Sequence, residues 1–142
     1  MKKFLLAAIV AAASINHAIA SPLSDAARAR FSAIAAGHIS VLMSDYAEHP
    51  QLNWIGGPLD GTYAGTDMIR ITWERFSKAA GPLKVSVSNL EESANPKGAT
   101  VIANVQFDGK TSIKVRYVLT YRDNKLVNET WQIDPKLSVT PT

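Results

Sequence analysis

No cysteine occurs in this 142-residue chain. That removes disulfides as a source of stability, and it removes the acylation site that a lipoprotein needs. Histidine is scarce as well. His17, His38 and His49 are the three, and no two of them stand at the spacing of a metal site, so no metal and no cofactor is expected. The longest apolar run, Phe4 to Ile15, falls well short of the about 20 residues that a membrane-spanning helix requires. No repeat, low-complexity tract or linker divides the chain, and only Thr140-Pro141-Thr142 reads as a frayed tail.

What is present at the N-terminus explains two of these features. Lys2 and Lys3 precede the apolar run, and Ala18-Ile19-Ala20 closes it as a small-x-small cleavage site, the pattern of a signal peptide over residues 1–20. Cleavage is expected between Ala20 and Ser21, leaving a bacterial protein that is periplasmic or secreted and not held in a membrane. Two of the fifteen basic residues lie in that segment, so thirteen face twelve acidic ones in the remainder, and the apparent basicity largely disappears. A nucleic-acid partner is not expected from such a balance. Residues 21–142 are the length of one ordinary domain with a single core.

The most informative stretch is Trp54 to Phe76. It carries Gly61-x-Tyr63-x-Gly65-x-Asp67-x-Ile69, then Trp73 and Phe76. Two glycines four apart mark a tight turn, since glycine alone takes positive φ without steric cost. Thr66 is positioned to cap a helix with Asp67 in its first turn, and Ile69, Trp73, Phe76 and Ala80 form one apolar stripe before Gly81-Pro82 ends it. Upstream, Pro22 to Ala36 reads as an amphipathic helix with Ala27, Phe31, Ile34 and Ala35 on one side, and Gly37 stops it. Ile39 to Tyr46 reads as a second helix and Gln51 to Ile55 as a first strand, broken by Gly56-Gly57-Pro58.

Four alternating segments follow: Leu83 to Glu91, Ala99 to Phe107, Thr111 to Arg122 and Lys125 to Asp134. Simple two-residue turns at Asp108-Gly109 and Asp123-Asn124 would set the apolar faces of successive strands on opposite sides. A three-residue loop with a bulge restores the match, so both hairpins are expected to be bulged, with Tyr117 opposite Glu129 and Val115 opposite Trp131. Lys114, Arg116 and Arg122 then share a solvated outer face.

Helix, glycine, helix, a tryptophan-bearing strand, the glycine-spaced turn, a third helix and a run of strands: this layout resembles the SnoaL-like branch of the nuclear transport factor 2-like superfamily. The resemblance spans roughly residues 24–134. It implies an α+β, cone-shaped, cystatin-like fold in which a curved antiparallel sheet wraps around an N-terminal helix pair and a third helix, enclosing a pocket. It also implies a homodimer through the outer sheet face, where Lys114 and Arg116 would approach their symmetry mates at some electrostatic cost.

The resemblance does not carry a reaction over. Ketosteroid isomerase relatives place a general-base aspartate near the end of the first strand, where this chain has Asn53, Trp54 and Ile55. Limonene epoxide hydrolase relatives need an aspartate where Trp131 stands, and scytalone dehydratase relatives use sheet histidines that are missing here. Gln106-Phe107-Asp108-Gly109 matches the wedge loop of a cystatin-type inhibitor too weakly to support that class.

Glu129 is the residue that invites a chemical role, because parity places this carboxylate on an otherwise apolar face, and buried carboxylates must be paired or neutralised. One reading makes it a pocket acid or base with Tyr117 as an electrophilic donor, in an isomerase, dehydratase or hydrolase. The other makes it a structural carboxylate held by Tyr117, in which case leucine should be tolerated there. Trp54, Tyr63, Trp73, Tyr117, Tyr121 and Trp131 are candidate walls of a cavity for a small, largely apolar molecule, and ordinary core residues otherwise. Whether the domain is an enzyme, a binding protein or an interaction module therefore turns on the cavity and on what surrounds Glu129.

Overall fold

Alanine-rich Pro22–Ala36 forms helix α1, and Gly37, at φ 72°, turns the chain into the one-and-a-half turns of α2, Ile39–Ser44. Strand β1, Tyr46–Ile55, begins at once. Tyr46, read from sequence as helical, opens this strand, although its side chain is buried as expected. This computed structural model describes residues 22–141; the segment read as a signal peptide and its cleavage site lie outside the described residues. No helix among the described residues is long and apolar enough to cross a membrane.

The glycine-spaced turn contains a short strand, β2, Gly61–Ala64, antiparallel to β1. Thr66 does not cap the helix that follows. Gly65 takes the cap position at φ 87°, its N–H bonded to Pro50 O at 3.0 Å, and Thr66 is the first residue of α3, Thr66–Ala80. The turn out of β2 demands a left-handed residue there, which glycine supplies. Ile69, Trp73 and Phe76 form the buried stripe of α3, and Gly81 closes it through its N–H to Ser77 O.

Strands β3 (Lys84–Asn95), β4 (Gly98–Asp108), β5 (Ser112–Arg122) and β6 (Lys125–Ile133) form an antiparallel meander. The full sheet runs β2-β1-β6-β5-β4-β3. The first strand joins the end of the meander beside β6 and runs parallel to it, so the sheet is mixed and not wholly antiparallel. Helix α1 lies against β3 and β4, and α3 against β1 and β2, so the helices cover the two wings of the concave face. The C-terminal segment is tied back: the Thr140 N–H bonds Ser88 Oγ at 2.8 Å, in contrast to the fraying expected for the tail.

The hairpins keep their apolar faces together by two different devices. Between β4 and β5 the loop is Gly109-Lys110-Thr111, three residues as expected, and Val105 faces Val115, but the register runs unbroken from Gly98–Arg122 to Asp108–Ser112 without the bulge expected there, because an odd-numbered loop alone keeps the parity. Between β5 and β6 the loop has only two residues, Asp123 and Asn124, at φ 50° and 59°, a turn of the primed type that suits twisted strands. The bulge lies not in this turn but inside β6. Tyr121 pairs with Leu126 but Thr120 with Asn128, leaving Val127 as the bulged residue. The register beyond the bulge is two residues from that expected, with Tyr117 opposite Trp131, Leu119 opposite Glu129 and Val115 opposite Ile133. Two residues is one full period of a strand, so the face assignment survives: Glu129 and Trp131 are 1% and 0% exposed.

Candidate functional site

The concave face holds two distinct regions. One is a polar cluster sealed under α1. In α1, positions 27, 30, 31 and 34 share one helical stripe, and the residue at 30 is an arginine that is only 1% exposed. Its guanidinium meets Glu129 from above. Nη2 reaches Glu129 Oε2 at 3.1 Å and Oε1 at 3.3 Å, while Nε reaches Oε2 at 3.3 Å. Nη1 bonds the Leu42 carbonyl and Asp45 Oδ2, both at 3.1 Å.

Two phenols complete the carboxylate's shell. Tyr117 donates to Glu129 Oε2 at 2.6 Å, and Tyr46 donates to Oε1. Each phenolic oxygen is in turn an acceptor: Tyr46 from Arg30 Nη2 at 2.6 Å and Trp73 Nε1 at 2.8 Å, Tyr117 from Arg30 Nε at 3.3 Å. The guanidinium also lies 4.7 Å from the centroid of the Tyr46 ring. Every polar group of the cluster is thus engaged, which is the condition under which buried charge is tolerated.

The electrostatics follow the same geometry. Burial works against the charge of Arg30, but the Glu129 carboxylate and the two phenolic oxygens outweigh it and hold the guanidinium's pKa above the ordinary arginine value. Burial, reinforced by the Glu129 charge and only partly offset by Arg30, pushes the Tyr46 and Tyr117 hydroxyls well above the usual phenol range. Tyr121, also buried, is raised for the same first reason.

The second region is a cavity of about 490 Å³ at the opposite side of the aromatic core. Trp54 and Phe76 form its floor with Leu59, Leu83, Ile113 and Ile133 around them. Beneath the floor, Trp131 stacks on Trp54 at 4.6 Å and on Phe107 at 5.2 Å, and meets Trp73, Phe76 and Tyr117 edge-on. The indole N–H groups of Trp54 and Trp131 are buried without a hydrogen-bond partner among the described residues. This aromatic layer separates the cavity from the polar cluster, and neither Arg30, Tyr46, Tyr117 nor Glu129 lines the cavity.

The residues singled out in the sequence therefore divide. Trp54 lines the cavity. Trp73 and Trp131 lie in the layer under it, Tyr117 and Glu129 in the sealed cluster, and Tyr121 in the core. Tyr63, on β2, is half-buried and donates to the Leu59 carbonyl at 2.6 Å, bracing the loop that carries a wall residue. His38 and His49 are exposed and join neither region. Among the described residues no three His, Asp or Glu side chains come together in a way that could hold a metal ion.

Sequence reasoning missed Arg30 and Tyr46. The signal for Arg30 was its place in the stripe of Ala27, Phe31 and Ile34, where a lone cation opposite a buried acid is its natural counter-ion. Tyr46 was hidden by its assignment to a helix end.

No protein-family model and no curated protein matches the sequence. Solved structures do match in fold. An NTF2-like protein of unknown function from Pseudomonas putida superposes with a TM-score of 0.66 at 14% identity, covering 86% of this chain and 96% of that one. A protein of unknown function with a cystatin-like fold from Nostoc punctiforme gives 0.61 at 17% identity, covering 81% and 92%. An NTF2-like protein from Burkholderia xenovorans gives 0.54 at 20% identity, covering 78% and 87%. With the six-stranded curved sheet, the helix pair and α3 placed as they are, the chain has the α+β cone fold of the NTF2-like, cystatin-like proteins.

Proposed function

We propose that this is an exported SnoaL-like domain that binds a small, largely apolar molecule in the cavity floored by Trp54 and Phe76. The observation that carries this reading is the cavity itself: about 490 Å³, walled by apolar side chains from α3, from the loops after β1 and α3, and from the ends of β5 and β6. Ligand sites are typically clefts of about 300–1,000 Å³ with such walls. The arrangement of Glu129 supports binding over catalysis, because both of its oxygens are occupied by Arg30, Tyr46 and Tyr117 and none of the four reaches the cavity. A general acid or base needs a free position within hydrogen-bond reach of its substrate.

Export rests on residues 1–20 of the sequence and is tested by the intact mass of the secreted protein, expected to begin at Ser21. The homodimer rests on the resemblance and on the breadth of the outer sheet face, where Arg116 bonds Asn104 Oδ1 at 3.1 Å. Sedimentation is expected to show a dimer, and a monomer at all concentrations removes that part of the reading.

The cavity is tested by occupying it. Ala79 lines it from the exposed side of α3, so Ala79→Trp projects a ring over the opening without displacing buried side chains. Binding of the neutral dye N-phenyl-1-naphthylamine, followed by its fluorescence, is expected to weaken by about tenfold or more, equivalent to about 1.4 kcal/mol. Thermal stability should be unchanged, since exposed substitutions away from the core are usually close to neutral. Undiminished dye binding by the variant would move the ligand site elsewhere.

A further inference from the structure

The polar complement of the cavity is one-sided. Two cationic side chains line it, Arg75 from α3 and Lys110 from the β4–β5 loop, together with the hydroxyl of Thr111. Among the described residues no carboxylate lines it. Glu74, Asp60 and Asp134 stand one residue from lining positions, but Asp60 accepts from the Gly56 N–H and Asp134 from the Lys136 N–H, and none of the three belongs to the wall. Among the described residues the side chains of Arg75 and Lys110 form no ion pair or hydrogen bond, whereas that of Arg30 is satisfied within the protein.

The loop that carries Lys110 packs against the α3–β3 connection. A Cβ at Gly109 would lie 2.5 Å from Leu83 Cδ2, the far end of a flexible side chain, and 3.4 Å from the Pro82 carbonyl, so the packing is close and a larger residue at 109 would make Leu83 shift. Leu83 is in turn anchored through its N–H to Ala35 O at 3.0 Å. The loop therefore presents Lys110 and Thr111 at the same opening that Arg75 reaches from the helix.

We infer that the ligand is an anionic amphiphile: an apolar body seated on Trp54 and Phe76, and a carboxylate or similar oxyanion head held at the opening by Arg75 and Lys110. The inference rests on the binding reading above and adds the chemical class of the ligand. A guanidinium offers paired donors to such a head and an ammonium offers a mobile point charge. Because both cations are exposed, the attraction is screened by salt and contributes modestly compared with burial of the apolar body.

The experiment compares probes that share a chain and differ in the head: decanoate, 1-decanol and decyltrimethylammonium, titrated calorimetrically into the purified protein at low salt. Decanoate is expected to bind about tenfold more tightly than decanol, as two partly screened charge contacts allow, and the ammonium more weakly than decanol. Arg75→Gln with Lys110→Gln should bring decanoate to the level of decanol. Raising the salt should do the same. Decanol binding as tightly as decanoate overturns the anionic head but leaves the apolar cavity standing. Failure of all three probes to bind overturns both readings.

Discussion

Replacing Glu129 with leucine is expected to destabilise the fold by about 3–5 kcal/mol, the cost of leaving one partner of a buried ion pair without the other. Read from sequence as a structural carboxylate, Glu129 is expected to tolerate leucine, since an apolar residue avoids burying a charge. Arg30 changes the sign. Without Glu129 the guanidinium, 1% exposed, keeps Asp45, half-exposed, as its one charged partner among the described residues, and the Tyr46 and Tyr117 hydroxyls lose the acceptor both donate to. Against a total stability of about 5–15 kcal/mol, such a loss unfolds a large fraction of the protein on modest heating.

Arg30→Met alone leaves a buried carboxylate with phenols as its remaining donors and should also be costly. The double variant Arg30→Met, Glu129→Leu removes both charges, so it should lose less than the two single changes together. The coupling in urea denaturation is expected to be about 2 kcal/mol or more, near the upper part of the range for residues in contact. If the two losses simply add, the pair is not the clamp that joins α1 and the α2–β1 junction to β6.

How much of this was legible in the sequence depends on the range of the interaction. Helix positions and strand faces follow from local periodicity, and α1, α3 and the buried parity of Glu129 come from it directly. The hairpin bulge was also required by parity, since the apolar faces of β5 and β6 must meet. Its location was not. A bulge at Val127 and a bulge in the turn satisfy the same alternation, and they differ by one full strand period in register. The parallel pairing of β1 with β6 is equally invisible locally, because nothing in residues 46–55 states which edge of the meander they will join.

The same distinction separates the two candidate regions. A buried acid demands a partner, and that demand could have led to Arg30, an arginine inside the apolar stripe of α1. The cavity could not be located in this way, because its lining comes from α3, three loops and the ends of three strands. Its aromatic residues have the same sequence signature as those of the packed layer beneath. Trp54 and Trp131 differ in role only through the side of the stack on which each stands.

Alkaline titration should show three of the four tyrosines ionising only as the protein unfolds. Tyr46, Tyr117 and Tyr121 are all raised, first by burial; the Glu129 charge adds to this in each, and the Arg30 charge opposes it. Below about pH 10, the ordinary phenol value, folded and unfolded chains both keep these protons, so the stability these groups contribute is complete. Above it the unfolded chain releases protons that the folded one retains. Stability then falls with rising pH by about 1.4 kcal/mol per unit for each group, or about 4 kcal/mol per unit while all three stay protonated in the fold. Over two units that approaches the whole stability of an ordinary domain. The expected result is a single steep step above about pH 10 in which phenolate absorbance, tryptophan emission and circular dichroism change together. Progressive ionisation of these three tyrosines with the tryptophan emission still native would show that their hydroxyls reach solvent, and that the cluster around Glu129 is not sealed.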